Sequence, residues 1–211
     1  RSAPPLVTAL LPATHTTQDR RAQGAVPFDA GWTLRGERTR ITTEAATPVL
    51  EVETGFAHPK DIAMQDGTIE FDVQLTDRRS FVYVYFRAQN DNEREEFYLR
   101  PHKSNLPDAV QYAPVWQGKS AWQLHHGPGG TAATPLPAGR WTRVRVVIRG
   151  PSAALFVGDL STPALVVPGL AREPAAGYIS LGGFLPANVP GEGPIARFRH
   201  VSVRPDVVEF T

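Results

Sequence analysis

Phe81-Val82-Tyr83-Val84-Tyr85-Phe86-Arg87, the polar turn Gln89-Asn90-Asp91-Asn92-Glu93-Arg94 and the return run Glu96-Phe97-Tyr98-Leu99-Arg100-Pro101-His102 decide how this chain folds. Successive residues of a strand point to opposite faces. In the first run Val82, Val84 and Phe86 share one face, and Tyr83, Tyr85 and Arg87 share the other. In the second run Phe97 and Leu99 lie on one face, and Glu96, Tyr98, Arg100 and His102 on the other. The alternation predicts an antiparallel hairpin with Arg87 opposite Glu96, Tyr85 opposite Tyr98 and Tyr83 opposite Arg100. Directly opposed residues share a face, so the apolar set gathers on one side and the polar set on the other. The wet face of a sheet usually carries Lys, Glu, Thr and Ser; this one carries Tyr, Arg, Glu and His.

The segment beyond the hairpin is aromatic and polar as well. It runs through Asp108, Gln111, Tyr112 and Trp116 to Trp122, His125 and His126, and its Pro and Gly content makes it read as loop. Upstream, Asp66-Gly67 marks a turn before Thr68–Leu75, where Ile69, Phe71, Val73 and Leu75 alternate. Further strands are expected at Trp32–Leu34, Thr39–Thr43, Val49–Val52, Trp141–Arg149, Ala153–Val157, Leu165–Val167, Gly177–Leu181 and Ile195–Val203. Residues 1–27 read as an irregular arm with one short strand at Leu6–Leu10. Residues 28–211 read as a single domain of ten to thirteen short strands with turn signals between them, the pattern of an all-β sandwich or barrel.

Composition narrows the function classes. The chain has 211 residues, of which 41% are hydrophobic and 20% charged, enough for a real core. A formal net charge of +1 gives no sign of nucleic acid as partner or of an anionic membrane surface. No stretch approaches the roughly 18 apolar residues of a membrane span. Cysteine is absent, which removes disulfides, thiolate nucleophiles and cysteine metal sites. No nucleophile elbow, P-loop or dinucleotide fingerprint is present. His102, His125 and His126 show no zinc-ligand spacing; a cation, if bound, is expected to be an oxygen-ligated structural Ca2+.

The order of these elements resembles the concanavalin A-like lectin/glucanase superfamily, and within it bacterial laminin-G-like and 3-keto-disaccharide hydrolase-like domains. Asp66-Gly67-Thr68-Ile69-Glu70-Phe71-Asp72-Val73, the Phe86-Arg87 strand end, Trp141–Val147, Ala153–Val157, Gly177–Leu181 and Ala196–Val203 carry the resemblance, over roughly residues 28 to 205. It implies a two-sheet antiparallel jelly-roll β-sandwich with a ligand groove on the concave sheet. Glycoside hydrolases of the laminarinase type place Glu-x-Asp-x-Glu in that groove. The corresponding residues here are Glu70, Asp72 and Gln74, and the glutamine leaves that mechanism without its acid/base.

These readings converge on saccharide recognition by a secreted or periplasmic bacterial protein. Aromatic rings beside planar hydrogen-bonding groups match the C–H faces and hydroxyl rims of sugars. The expected ligand contacts are Tyr83, Tyr85, Arg87, Glu96, Tyr98, Arg100, His102, Asp108, Gln111, Trp116, Trp122 and His125. If the chain is an enzyme, a glycoside hydrolase or polysaccharide lyase, Glu96, His102, Asp108 and Tyr98 are the candidate acid and base. A laminin-G-like structural or protein-interaction module is the third class. No cofactor is expected.

Overall fold

A computed structural model describes residues 24–205. The strand expected at Leu6–Leu10 lies outside them. The described residues hold 14 strands and two 3-10 turns, and no α-helix. The strands are β1 (Trp32–Glu44), β2 (Thr47–Pro59), β3 (Ala63–Met64), β4 (Gly67–Leu75), β5 (Phe81–Asn90), β6 (Glu93–Leu99) and β7 (Val110–Trp116). They continue with β8 (Lys119–Ser120), β9 (Thr131–Ala132), β10 (Trp141–Arg149), β11 (Ser152–Val157), β12 (Leu165–Val167), β13 (Gly177–Phe184) and β14 (Ala196–Pro205).

Hydrogen bonding runs in the order β12-β11-β10-β4-β14-β2-β13-β5-β6-β7-β8, almost entirely antiparallel. β2 is the corner. Its first half pairs with β14 at Leu50–Val52, and its second half pairs with β13 at Gly55–Ala57. Gly55 sits between the two halves with φ at 134°, a conformation that side chains oppose. The curled sheet is therefore a sandwich of two halves. The first is β12-β11-β10-β4-β14 with the start of β2; the second is the end of β2 with β13-β5-β6-β7-β8.

Their inner faces make one hydrophobic cluster. Ile69, Phe71, Val73, Leu75, Val144, Val146, Ile148 and Phe198 come from the first half, and Val82, Val84, Phe86, Phe97, Leu99, Ile179 and Leu181 from the second. The alternation read in the sequence thus orients both halves. Ala25 bridges to Ser202, and Val26 donates its backbone N–H to Val201 (2.8 Å), so residues 24–26 run along β14.

Two readings of the hairpin are corrected. Tyr83 pairs with Tyr98 and Tyr85 with Glu96, a register two residues away from the one the alternation suggested. A slip of two keeps every side chain on its face, so the division into apolar and polar sides survives. The slip is absorbed between Phe86 and Asn90, where Arg87 takes a left-handed φ of 50°. That bulge turns Arg87 away from Glu96. It donates instead to the Gln65 carbonyl (2.7 Å), the Asp66 carboxylate (2.7 Å) and the Gly150 carbonyl (2.6 Å), tying β5 to two turns of the other half. The second correction concerns residues 110–116. They form a strand between β6 and β9, not a loop, and Tyr112 is fully buried in the core.

Candidate functional site

The outer face of the second half collects the unusual residues. Tyr83 and Tyr85 come from β5, Arg94, Glu96 and Tyr98 from β6, and Gln111 from β7. Cross-strand pairing places Phe56 against Gly182, Gly182 against Tyr83 and Phe184 against Phe81, so β2 and β13 contribute to the same face. A continuous strip of ring contacts results. Phe56 meets Tyr85 (centroids 5.9 Å), Tyr85 meets Tyr83 (5.5 Å), Tyr83 meets Tyr98 (5.5 Å) and Tyr98 meets Phe81 (6.2 Å). Phe81 then meets Phe184 (6.3 Å) and His102 (5.7 Å). These tilted and edge-on arrangements are the favoured geometries of aromatic pairs. A Cβ at Gly182 would fall 2.5 Å from the Phe56 Cβ, so glycine keeps the middle of the strip open.

The rings differ in what they present. Tyr85 and Tyr98 are buried, whereas Phe56, Phe81 and Tyr83 are half-buried and Phe184 is 46% exposed. The Arg94 guanidinium covers Tyr85 at 4.1 Å from the ring centroid and bonds the Glu96 carboxylate (2.9–3.0 Å). Ser120 donates to the other oxygen of Glu96 (3.0 Å). Burial pushes the Glu96 carboxyl above the ordinary range despite these donors. Its partner is therefore Arg94, not Arg87.

Arg100 stands one residue past the end of β6, at the mouth of the 3-10 turn Pro101–Lys103, and is 6% exposed. It donates to the Tyr98 hydroxyl (2.8 Å), the Gln111 carbonyl oxygen (2.5 Å) and the Asp108 carboxylate (2.5 Å), which Lys103 also reaches (2.9 Å). Gln111, fully buried, extends the network: its amide donates to the carbonyls of Trp122 (2.6 Å) and His125 (3.0 Å). Arg100 is thus a buried positioning residue. Because it occupies the acceptor side of the Tyr98 oxygen, the phenolic proton is left to be donated elsewhere. Burial raises the Tyr98 hydroxyl to about 12, so that proton stays in place.

The structure therefore joins Tyr83, Tyr85, Glu96, Tyr98, Arg100, Asp108 and Gln111 in one connected patch, with His102 at its end. Trp122, 44% exposed, borders it through the loop that Gln111 holds. Arg87 and Trp116 are elsewhere. Trp116 follows Val115, which pairs with Arg94, so it projects from the opposite face, under the guanidinium of Arg172 (5.8 Å). The His125 ring packs edge-on against buried Tyr112 (5.1 Å). Phe56, Phe81, Phe184 and Arg94 were not singled out in the sequence; parity along β13, continued past Leu181, finds Phe184.

Glu70 and Asp72 lie on the outer face of the other half, in a charge ladder. Arg145 and Arg143 pair directly across from them on β10, and Arg199 faces Asp72 from β14. Burial raises the Glu70 carboxyl, but hydrogen bonds from Arg145 and Arg143 outweigh it and hold the group ionised below the ordinary range. A laminarinase-like role for this strand has no acid to supply. Among the described residues no three His, Asp or Glu side chains gather as a metal site, and no helix is long and apolar enough to cross a membrane.

No protein-family model matches the sequence, and no curated protein matches it. Solved structures do match in shape. A β-glucanase of Bacillus licheniformis superposes with a TM-score of 0.61 at 9% identity, over 87% of this chain and 99% of that one. The fold is a concanavalin A-like jelly roll. The carbohydrate-binding module CBM66 of Bacillus subtilis matches with a TM-score of 0.58 at 14% identity, over 82% and 94% of the two chains. A Bacillus subtilis protein of unknown function with a galectin-like fold gives 0.55 at 13% identity, over 82% and 88%. At these identities the likeness extends to the jelly roll itself; function rests on the residues of the site.

Proposed function

We propose that this protein binds a saccharide along the aromatic strip on the outer face of the second half-sheet. The strip itself carries the proposal: six rings, from Phe56 to Phe184, run in unbroken contact across four strands. Flat apolar rings accept the C–H faces of a sugar, and the hydroxyls between them meet its hydroxyl groups. Tyr83 and Tyr98 supply those hydroxyls, and the buried Glu96 carboxylate holds the Arg94 guanidinium over Tyr85. Jelly-roll neighbours that include a carbohydrate-binding module and a β-glucanase support the ligand class. We place the protein outside the cytoplasm, secreted or periplasmic, which suits a cysteine-free chain that meets polysaccharide.

Binding is favoured over hydrolysis because, among the described residues, the face offers no free carboxylate pair. Hydrolysis with retention takes two carboxyl groups about 5 Å apart. Beside Glu96, the acids near the strip are Asp108, held by Arg100 and Lys103, and Asp91, which accepts from the Tyr178 hydroxyl (2.8 Å). A glycan screen that reads bound protein and released product together tests the proposal. Retention on a polysaccharide without product is the expected result. Product release that disappears in Glu96→Gln would make the protein a hydrolase or lyase instead. Absence of any glycan interaction would favour an interaction module.

A further inference from the structure

At one end of the aromatic strip the sheet opens. β5 begins at Phe81 just where its neighbour β13 ends at Phe184. The connectors that meet those two residues line a hollow of about 450 Å³ whose walls include Arg78, Arg79, Pro186, Asn188, Val189 and Pro190. The hollow thus lies at the ends of β5 and β13 that carry Phe81 and Phe184.

Its two arginines are used differently. Arg78 spends its donors on backbone, reaching the carbonyls of Pro190 (3.2 Å), Gly191 (2.7 Å), Glu192 (3.3 Å) and Gly193 (2.9 Å). That clasp fixes the outer wall. Arg79 is exposed and forms no ion pair or hydrogen bond among the described residues, although Asp77 and Glu192 belong to the same two connectors. His102 lies behind it, its Nδ1 accepting the Ser80 backbone N–H (3.4 Å), so a neutral ring presents Nε2–H. After burial, the influences that most disfavour a charge on that ring are Arg79, Lys103 and Arg100, all cations. A fork of donors without a carboxylate, in a field set by cations, is a seat for an anion.

We propose that this hollow is a subsite for an anionic group on the saccharide, a uronate carboxylate or a sulfate ester, gripped by Arg79 while the neighbouring ring stacks on Phe81 and Phe184. The subsite rests on the saccharide reading above and narrows it to acidic glycans.

Affinity electrophoresis separates the two. The full chain, Arg79→Ala, Tyr83→Ala and a charge control, Lys119→Ala, are run at physiological salt through gels carrying polygalacturonate, carrageenan or neutral galactan. We expect an acidic polymer to retard the wild type more strongly than galactan does. Arg79→Ala should lose about tenfold in affinity, the worth of one charge-assisted contact, while Lys119→Ala stays at wild type. Polygalacturonate as the better polymer identifies a carboxylate, and carrageenan, a sulfated galactan without carboxylates, a sulfate ester. Equal retardation by galactan with Arg79→Ala unaffected overturns the subsite and leaves the saccharide site standing. Equal losses in Arg79→Ala and Lys119→Ala overturn it too, since they reflect bulk charge. No retardation by any polymer, or none that Tyr83→Ala changes, overturns the saccharide reading as well.

Discussion

Arg100 donates to the hydroxyl of Tyr98 from 2.8 Å, so one of the strip's two buried tyrosines is aimed by a guanidinium that the ligand need not touch. The same guanidinium holds Asp108 and Gln111, and Arg100, Tyr98 and Gln111 are all buried. Removing one partner of a buried ion pair leaves an uncompensated charge. Arg100→Ala should therefore cost about 3 kcal/mol or more of stability, read by denaturant unfolding. A loss below about 0.5 kcal/mol, the usual scale for surface changes, would place Arg100 in solvent instead.

Phe86 stacks on Phe97 (5.5 Å) at the centre of the core and is fully buried. Truncation leaves a cavity that a closed sandwich cannot fill. Phe86→Ala is expected to destabilise by about 3–5 kcal/mol. A midpoint shift equivalent to less than about 1 kcal/mol would mean that the two faces of β5 are exchanged.

Glu96 and Glu70 should respond to pH in opposite senses. Burial raises the Glu96 carboxyl above its ordinary 4.5, so the folded protein holds that proton more tightly than the unfolded chain. Stability then falls as pH rises from 4.5 through the folded value. Glu96→Gln removes this slope, and the mutant should gain on the wild type between pH 4 and pH 7. Glu70 is held below 4.5 once its arginine bonds outweigh burial. Its contribution is present above 4.5 and is lost as pH falls through the folded value, so Glu70→Gln should lose ground on the wild type as pH rises towards 4.5 from below. Unfolding free energies measured from about pH 3 to pH 7 check both signs, Glu70 below 4.5 and Glu96 above it; parallel curves for wild type and either mutant in its own window would contradict the assignment.

The β1–β2 hairpin turns at Ala45-Ala46, both left-handed with φ of 46° and 66°. Such a two-residue turn suits Asn-Gly, and each alanine sits in a conformation costing of order 1 kcal/mol. The double substitution Ala45→Asn, Ala46→Gly should raise stability by about 1 kcal/mol. Unchanged or lowered stability would mean that the turn adopts another shape in solution.

Much of this architecture is legible in the sequence because period-2 alternation survives errors of register. Tyr83, Tyr85, Glu96 and Tyr98 share a face whether the hairpin is paired correctly or two residues out. Arg87 is misplaced for a local reason: a left-handed bulge is a backbone event that Phe-Arg-Ala-Gln does not announce. Arg100 and His102 lie past the end of β6, where Pro101 stops the pleat and alternation no longer applies. Residues 110–116 read as loop because Pro114 and polar neighbours hide a strand whose buried polar groups are satisfied by tertiary bonds, Gln111 to Arg100 and Tyr112 to Glu95 (2.6 Å). The ladder joining Glu70 and Asp72 to Arg143, Arg145 and Arg199 depends on which strands flank β4, and that is set by long-range pairing.

The central claim is that saccharide binds on the aromatic strip, and calorimetric titration of Tyr83→Ala beside Trp141→Ala tests it most directly. Tyr83 lies mid-strip, while Trp141 lies on the opposite half-sheet, its ring under Arg199 (4.1 Å). With the glycan retained best by the wild type, and with melting curves showing both variants folded, Tyr83→Ala should bind at least about tenfold more weakly, the loss of one stacked ring. Trp141→Ala should bind as the wild type does. Unchanged affinity in Tyr83→Ala, or a loss confined to Trp141→Ala, would contradict the account.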